Sequence, residues 1–337
     1  MRFGLALPHY DDSLAGRPVS WEGVRDAALR AEACGFDSVW VSDHLFLDWE
    51  KYGGSPEPKA ALECWTTLSA VAACTTRVRV GSLALCNDLR NPALVAKMAA
   101  TLDRLSGGRL DVALGAGWYE PEYRAAGIDF RPPGERIRAL GEGTQIIRRL
   151  LEGEVVDFDG RHYRLRGAAC RPGPVQEPSP PLWLGGKGDL LLRTAARHAD
   201  GWNFSWIGSI DAYAARARVA DETCERLGRD PRSLRRSVGA YVLVGDTDAG
   251  ARRRFERLAD VTPAGVLRDD AGGRGVSWEE FRRDHLAGTA AEVIERMGHL
   301  KDIGVEEVVV GLGTLPFQVA DEDDIERFGT EIAAAFR

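Results

Sequence analysis

The stretch PLWLGGKGDLLLRTAARHADGWN, residues 181–203, places several structural signals in one run. Leu182-Trp-Leu184 reads as a short buried strand, Gly185-Gly186 as a turn, and an amphipathic helix begins at Gly188. A second strand starts by Trp202-Asn203. A helix N-terminus carries N–H groups without intrahelical partners and a partial positive charge, and glycines let the backbone close on a ligand. That combination suits a phosphate. The turn therefore points to a phosphate-tailed cofactor, and so to an enzyme.

The same strand–turn–helix grammar extends in both directions. Apolar strands are expected at 2–7, 38–41, 78–85, 110–114, 181–184, around Asn203, at 237–244 and at 307–311. Helices are expected at 20–34, with Ser20 as N-cap and Gly35 as the stop, and at 64–75, 92–106, 133–152, 209–227, 289–303 and 321–336. Alternation of this kind argues for a parallel sheet with helical crossovers. Eight units fit an α/β fold of the closed (β/α)8 TIM-barrel type. An open doubly wound sheet is the alternative, but no GxGxxG follows the first strand. The expected organisation is one barrel domain over 1–337 with insertions at about 45–62, 155–180 and 246–286. The middle insertion reads as a surface hairpin.

Composition fits this reading. The 337 residues are 44% hydrophobic and 28% charged, the ordinary globular balance. The net charge of −7 is spread along the chain. No basic patch of the kind nucleic acid needs is present, and Arg252-Arg-Arg254 reads as a solvated helix face. No apolar run approaches the ~20 residues of a membrane helix, and the apolar N-terminal stretch is too short for a signal peptide. The six cysteines are scattered without a CxxC pair, which argues against zinc and against a disulfide framework. A cytoplasmic location with a small-molecule partner is expected, with neither nucleic acid nor membrane.

In a barrel, chemistry gathers at the C-terminal ends of the strands. Those ends carry Pro8-His9-Tyr10, Ser42-Asp43-His44, Cys86-Asn87-Asp88, Gly115-Ala-Gly-Trp118, Gly185-Gly186, Asn203 and Gly311-Leu-Gly313. Asp43-His44 is the sharpest pair, because a histidine beside a carboxylate can act as general acid or base near neutral pH. Neighbours on a strand point in opposite directions, so both reach one site only if the strand has already ended. The Gly115-Ala-Gly117 turn either admits a ligand closely or simply turns the chain. Glu120 and Glu122 are candidate acids over the site. Trp49 and Tyr52 in the first insertion, with Phe255 and Trp278 in the third, suggest cover for a partly apolar substrate.

Three stretches carry a family resemblance: SWEGVRDAALRAEACGFDSVWVSDH at 20–44, RVGSLALCNDLRNPALVAKMAATLDRLSGGRLDVALGAGW at 79–118, and the opening block. Together they make the chain resemble the luciferase-like monooxygenase superfamily, and within it the F420-dependent oxidoreductases. The resemblance implies a barrel that binds a deazaflavin or flavin, coenzyme F420 or alternatively FMN, at its C-terminal face. It implies a non-prolyl cis peptide in a bulge of the third strand, for which Leu83–Ala84 is the candidate.

Carried over by position, Asp43 resembles the cofactor-contacting acid and His44 the catalytic histidine. Leu83, Ala84, Asn87, Gly115 and Ala116 fall where the ring would be lined, and Gly185, Gly186, Gly188 and Asp189 where the phosphate would be cradled. Sugar-phosphate dehydrogenases of the superfamily carry a glutamate after the strand-4 glycine turn. Trp118 stands there in this chain, and Glu120 substitutes only if its loop folds inward. The implied activities are F420-dependent hydride transfer or, on the same barrel, FMNH2-dependent monooxygenation. A cofactor-binding protein without turnover is a third reading. Dimers are common among similar proteins, and a homodimer is expected.

Overall fold

The computed structural model describes residues 1–263 and 276–337. Its strands are β1 (Arg2–Ala6), β2 (Ser38–Val41), β3 (Arg79–Cys86), β4 (Leu110–Gly115), β5 (Leu182–Gly185), β6 (Gly201–Phe204), β7 (Arg235–Val244) and β8 (Glu307–Gly311). They pair in parallel in the order β6-β5-β4-β3-β2-β1-β8-β7, and β6–β7 pairing closes the ring. The surrounding helices are α1 (Trp21–Ala33), α2 (Cys64–Cys74), α3 (Pro92–Ser106), α4 (Pro133–Leu151), α5 (Asp189–His198), α6 (Ile210–Arg226), α7 (Ala290–Asp302) and α8 (Asp323–Arg327). The fold is the expected (β/α)8 barrel.

The period of two along each strand divides the core. Leu5, Val39, Val80, Val112, Leu184, Val308 and Val310 belong to the apolar layer shared with the helices, whereas Ala6, Trp40, Ala113, Trp183 and Val309 form a separate inner cluster. The interior is filled by pairing large with absent side chains. A Cβ on Gly81 would lie 2.4 Å from the Trp40 indole, and one on Gly201 2.1 Å from Trp183. Trp183 is thus a barrel plug. Trp202 instead faces the helices, stacked on Tyr213 with centroids 5.9 Å apart.

Several local expectations change. The closing helix ends as α-helix at Arg327 and continues as a π turn, Phe328–Ile332, and a 3-10 turn, Ala333–Phe336. Gly329 abuts the end of α1, where a Cβ would come 2.6 Å from the Cys34 carbonyl. The widened turn sets both Phe328 and Phe336 against Phe3, each at 5.5 Å. The 155–180 segment contains the surface hairpin Val156–Asp159 with Arg164–Ala168. The 45–62 segment carries a short antiparallel pairing, Phe46–Leu47 with Lys59–Ala60.

The third insertion is more regular than expected. It contains helices Asp248–Ala259 and Trp278–Asp284 and a strand, Leu286–Gly288, added alongside the end of β7. Phe255 and Trp278 pack there with Tyr241, Leu243 and Phe281. Residues 264–275 of that insertion lie outside the described residues.

Candidate active site

The C-terminal mouth of the barrel opens into a cavity of about 590 Å³. Its floor is built by β3. The Leu83–Ala84 peptide is cis, and β3 loses register with β4 between Ser82 and Leu85. The resulting bulge presents Ala84 between two glycines. A Cβ on Gly115 or on Gly185 would stand 3.5 Å from the Ala84 Cβ, so the three residues leave a bare apolar step. Gly186, Lys187 and Gly188 extend the wall from that step to the start of α5. Gly188 caps α5 without a side-chain hydrogen bond, so the first N–H groups of α5 find no side-chain acceptor in their cap.

Asp43 and His44 follow the end of β2 and are released from its alternation. Asp43 turns inward to Arg90. Its Oδ2 accepts from Arg90 Nη1 at 2.6 Å and from the Cys86 N–H at 2.9 Å, and its Oδ1 accepts from Nη2 at 3.0 Å. Burial pushes the Asp43 carboxyl up, against the opposing pull of Arg90. Burial also works to lower Arg90, but the bonds and charge of Asp43 raise its guanidinium overall. Burial lifts the neighbouring Cys86 thiol to about 12, which keeps it protonated.

His44 turns toward the strand-4 loop. Its Nδ1 lies 3.1 and 3.2 Å from Oε1 and Oε2 of Glu122, and Oε2 also accepts the Leu45 N–H at 3.0 Å. An acidic partner there makes Nδ1 the protonated nitrogen and directs Nε2 to the cavity, which both residues line. Trp118 packs edge-on to His44 at 5.4 Å, and Lys51 stands over the Trp118 ring at 4.7 Å. Leu47, Trp49 and Tyr52 join them from the first insertion, with Trp206 and Phe317 opposite.

The structure brings together His44, Asp43, Leu83, Ala84, Gly115, Ala116, Gly185, Gly186 and Gly188 around one cavity. Three other candidates lie elsewhere. Glu120 opens the helix Glu120–Ala125 with its side chain 51% exposed and paired to Arg124, whereas Glu122, 1% exposed, points inward. The acid over the site is therefore Glu122. Asn87 is buried behind the bulge, donating to Tyr163 and facing Gly143 of α4. Asp189 is 70% exposed and held by Arg216 on the outer side of α5.

Among the described residues of the 246–286 insertion none lines this cavity, because its aromatic side chains are consumed in the cluster on β7. Tyr10, Ser42 and Arg136 line the cavity without having been assigned a role from sequence. Pro121 marks only where that helix begins, and it is the helical turn in the folded barrel that sets Glu122 and Tyr123 on the buried face.

The residues fit a deazaflavin or flavin in two respects: the bare step at Ala84, where side chains would block a flat ring, and the uncapped α5 N-terminus beside glycines, where a phosphate is favoured. No helix among the described residues is long and apolar enough to cross a membrane.

Comparison with known proteins agrees with the barrel fold. The model of the luciferase-like monooxygenase family matches residues 1–322. The coenzyme F420-dependent tetrahydromethanopterin reductase of Methanopyrus kandleri superposes with a TM-score of 0.77 at 20% identity, over 100% of this chain and 99% of that one. An F420-dependent secondary alcohol dehydrogenase, solved with an F420–acetone adduct, gives 0.77 at 22% identity over 99% and 98%. A monooxygenase of Streptomyces bottropensis gives 0.76 at 22% over 100% of both chains. At these identities the likeness is one of fold.

Proposed function

The chain belongs to the luciferase-like monooxygenase family, and from that premise we propose an oxidoreductase that transfers a hydride between coenzyme F420 and a small organic substrate. The observation that carries the proposal is the His44–Glu122 pair, which faces a cavity floored by the cis Leu83–Ala84 bulge.

When bound, the deazaflavin supplies the hydride chemistry. Leu83, Ala84, Gly115 and Gly185 would hold its ring, and the Gly186–Gly188 turn its phosphate. His44 manages the proton. With Nδ1–H engaged by Glu122, the doubly protonated ring would give its Nε2 proton to a substrate oxygen in reduction and be left neutral, and in the reverse direction the neutral ring would accept a hydroxyl proton at its bare Nε2. Asp43 positions rather than reacts, since both its oxygens are committed to Arg90 and to the backbone of β3. Trp118, Trp49, Tyr52 and Trp206 make the substrate side apolar and exclude water.

A monooxygenase using reduced FMN is the second reading, favoured by the same ring step and phosphate turn and by the similar Streptomyces enzyme. Titration of the purified protein with F420 and with FMN, followed by absorbance and fluorescence, separates the two. Saturable binding of F420 is expected, and binding of FMN alone overturns the first reading.

A further inference from the structure

The end of β1 contributes a buried chain of polar groups that the proposed hydride transfer does not use. His9 is fully buried, and its Nδ1 lies 2.8 Å from the Leu7 carbonyl. A carbonyl oxygen only accepts, so Nδ1 carries a hydrogen. Burial lowers His9 to about 4, so at neutral pH the ring holds no second proton and Nε2 is a bare acceptor. Ser42 presents two donors to that single lone pair, its backbone N–H at 3.3 Å and its hydroxyl at 3.0 Å, and the hydroxyl makes the shorter contact.

The single hydroxyl hydrogen of Ser42 is therefore spent on His9. The Tyr10 hydroxyl is hydrogen-bonded to the same Oγ. Ser42 has only lone pairs left to offer, so Tyr10 donates. Burial, reinforced by the nearby carboxylates of Glu122 and Asp43, keeps Tyr10 a neutral phenol. Its one hydrogen is committed to Ser42, and its oxygen retains acceptor capacity alone. Tyr10 lines the cavity, its ring 6.4 Å from that of His44.

We propose that Tyr10 is a specificity-determining acceptor, whose oxygen receives an O–H or N–H of the molecule bound in front of His44 and so favours hydroxyl- or amine-bearing ligands over their carbonyl counterparts. The inference rests on reading the cavity as a ligand site, but not on the identity of the cofactor. Polarity is imposed from behind: the Leu7 carbonyl sets His9, His9 sets Ser42, and Ser42 sets Tyr10. A buried donor–acceptor mismatch forfeits a hydrogen bond and leaves a polar group unpaired, which is how such sites discriminate.

The test uses 1-phenylethanol and acetophenone, a matched alcohol and ketone, with binding to the cofactor-free protein read by ligand-observed NMR. Wild type is expected to favour the alcohol by about fivefold, the size of one net hydrogen bond. Ser42→Ala frees the Tyr10 hydrogen and is expected to shift the preference toward the ketone by a similar factor. Tyr10→Phe removes the response to Ser42→Ala. A wild type that does not favour the alcohol, one that binds neither probe included, overturns the proposal, as does an unchanged ratio in Ser42→Ala.

A measurement on unaltered protein guards against misfolded variants. Nitrogen-15 spectra should show the His9 ring, identified by its loss in His9→Gln, protonated at Nδ1 and bare at Nε2 at pH 7. A hydrogen on Nε2 overturns the chain of polarity. Failure of the hydride-transfer reading is distinguishable, since it is scored by F420 and FMN binding and neither is present here.

Discussion

His44 Nδ1 lies 3.1 Å from Glu122 Oε1, although the two residues are separated by 78 positions in the chain. One comes from the end of β2 and the other from a six-residue helix after β4, and the barrel mouth is where the two loops meet. The carboxylate orients the imidazole and stabilises the form with hydrogen on Nδ1, as an orienting group does for a general acid–base.

Removing the proton carrier should separate chemistry from binding. His44→Ala is expected to lower turnover by about a hundredfold or more, the usual contribution of a positioned acid–base, with cofactor affinity nearly unchanged. Glu122→Gln should lose less and displace the pH profile of kcat. Steady-state kinetics beside a cofactor titration decide. Equal loss in kcat and in cofactor affinity would contradict the assignment.

The ring step can be filled without disturbing the fold. A Cβ at residue 185 meets Ala84 and Ser205 only at an ordinary 3.5 Å. Gly185→Ala should therefore keep the melting temperature within a few degrees. Cofactor affinity should fall at least tenfold, since the methyl occupies the floor where a flat ring would lie. Calorimetric melting and cofactor titration provide the two readouts.

Breaking the Asp43–Arg90 pair should be costly. Both partners are largely buried, and Arg90→Met would strand Asp43 without its counter-charge, at about 3–5 kcal/mol. Replacing both, Asp43→Leu with Arg90→Met, should recover much of that stability while cofactor binding stays impaired. Urea denaturation measures each step.

His9 makes stability pH-dependent in a definite direction. Its folded value of about 4 lies below its ordinary 6.5, so between those values the unfolded chain binds the extra proton. Stability is complete above pH 6.5 and declines as pH falls toward 4, by about 3 kcal/mol in all. Denaturant midpoints from pH 7 to 4.5 should show the decline, and His9→Gln should flatten it by one proton's worth of slope.

Gly117 holds the strand-4 loop in a left-handed backbone state that other residues rarely adopt. Its φ is +74°, and a Cβ would fall 1.8 Å from the fully buried Tyr123 hydroxyl. Gly117→Ala should destabilise by more than ~1 kcal/mol. It should also displace Tyr123 and, with it, Glu122. A lowered melting temperature together with lost activity is the expected outcome.

The barrel was legible because its cause is local and repeated. Short, nearly continuous apolar runs, separated by amphipathic helices and glycine stops, recur along the chain, and the boundaries at β2 and β8 agree with the structure to the residue. The position of the cis peptide followed from the resemblance around Gly81–Leu85, and Leu83–Ala84 is cis. Legibility failed where a side chain's direction depended on a helix too short to show periodicity. Glu120 and Glu122 are equivalent in composition, and only the turn of Glu120–Ala125 sends one to solvent and the other to His44. It failed also for Phe255 and Trp278, whose aromatic character suits a substrate wall or a core equally.

The amino-acid sequence alone therefore determined the barrel, the order of its units, and the strand ends at which Asp43, His44 and the Gly185-Gly186 turn stand, because these follow from periodicity and turn chemistry within a few residues. Tertiary structure alone decided the partners: Glu122 for His44, Arg90 for Asp43, and the line from Leu7 through His9 and Ser42 to Tyr10. The physical reason is that a hydrogen bond's donor, acceptor and direction are set by which loops converge when the ring of strands closes, and no local pattern carries that information.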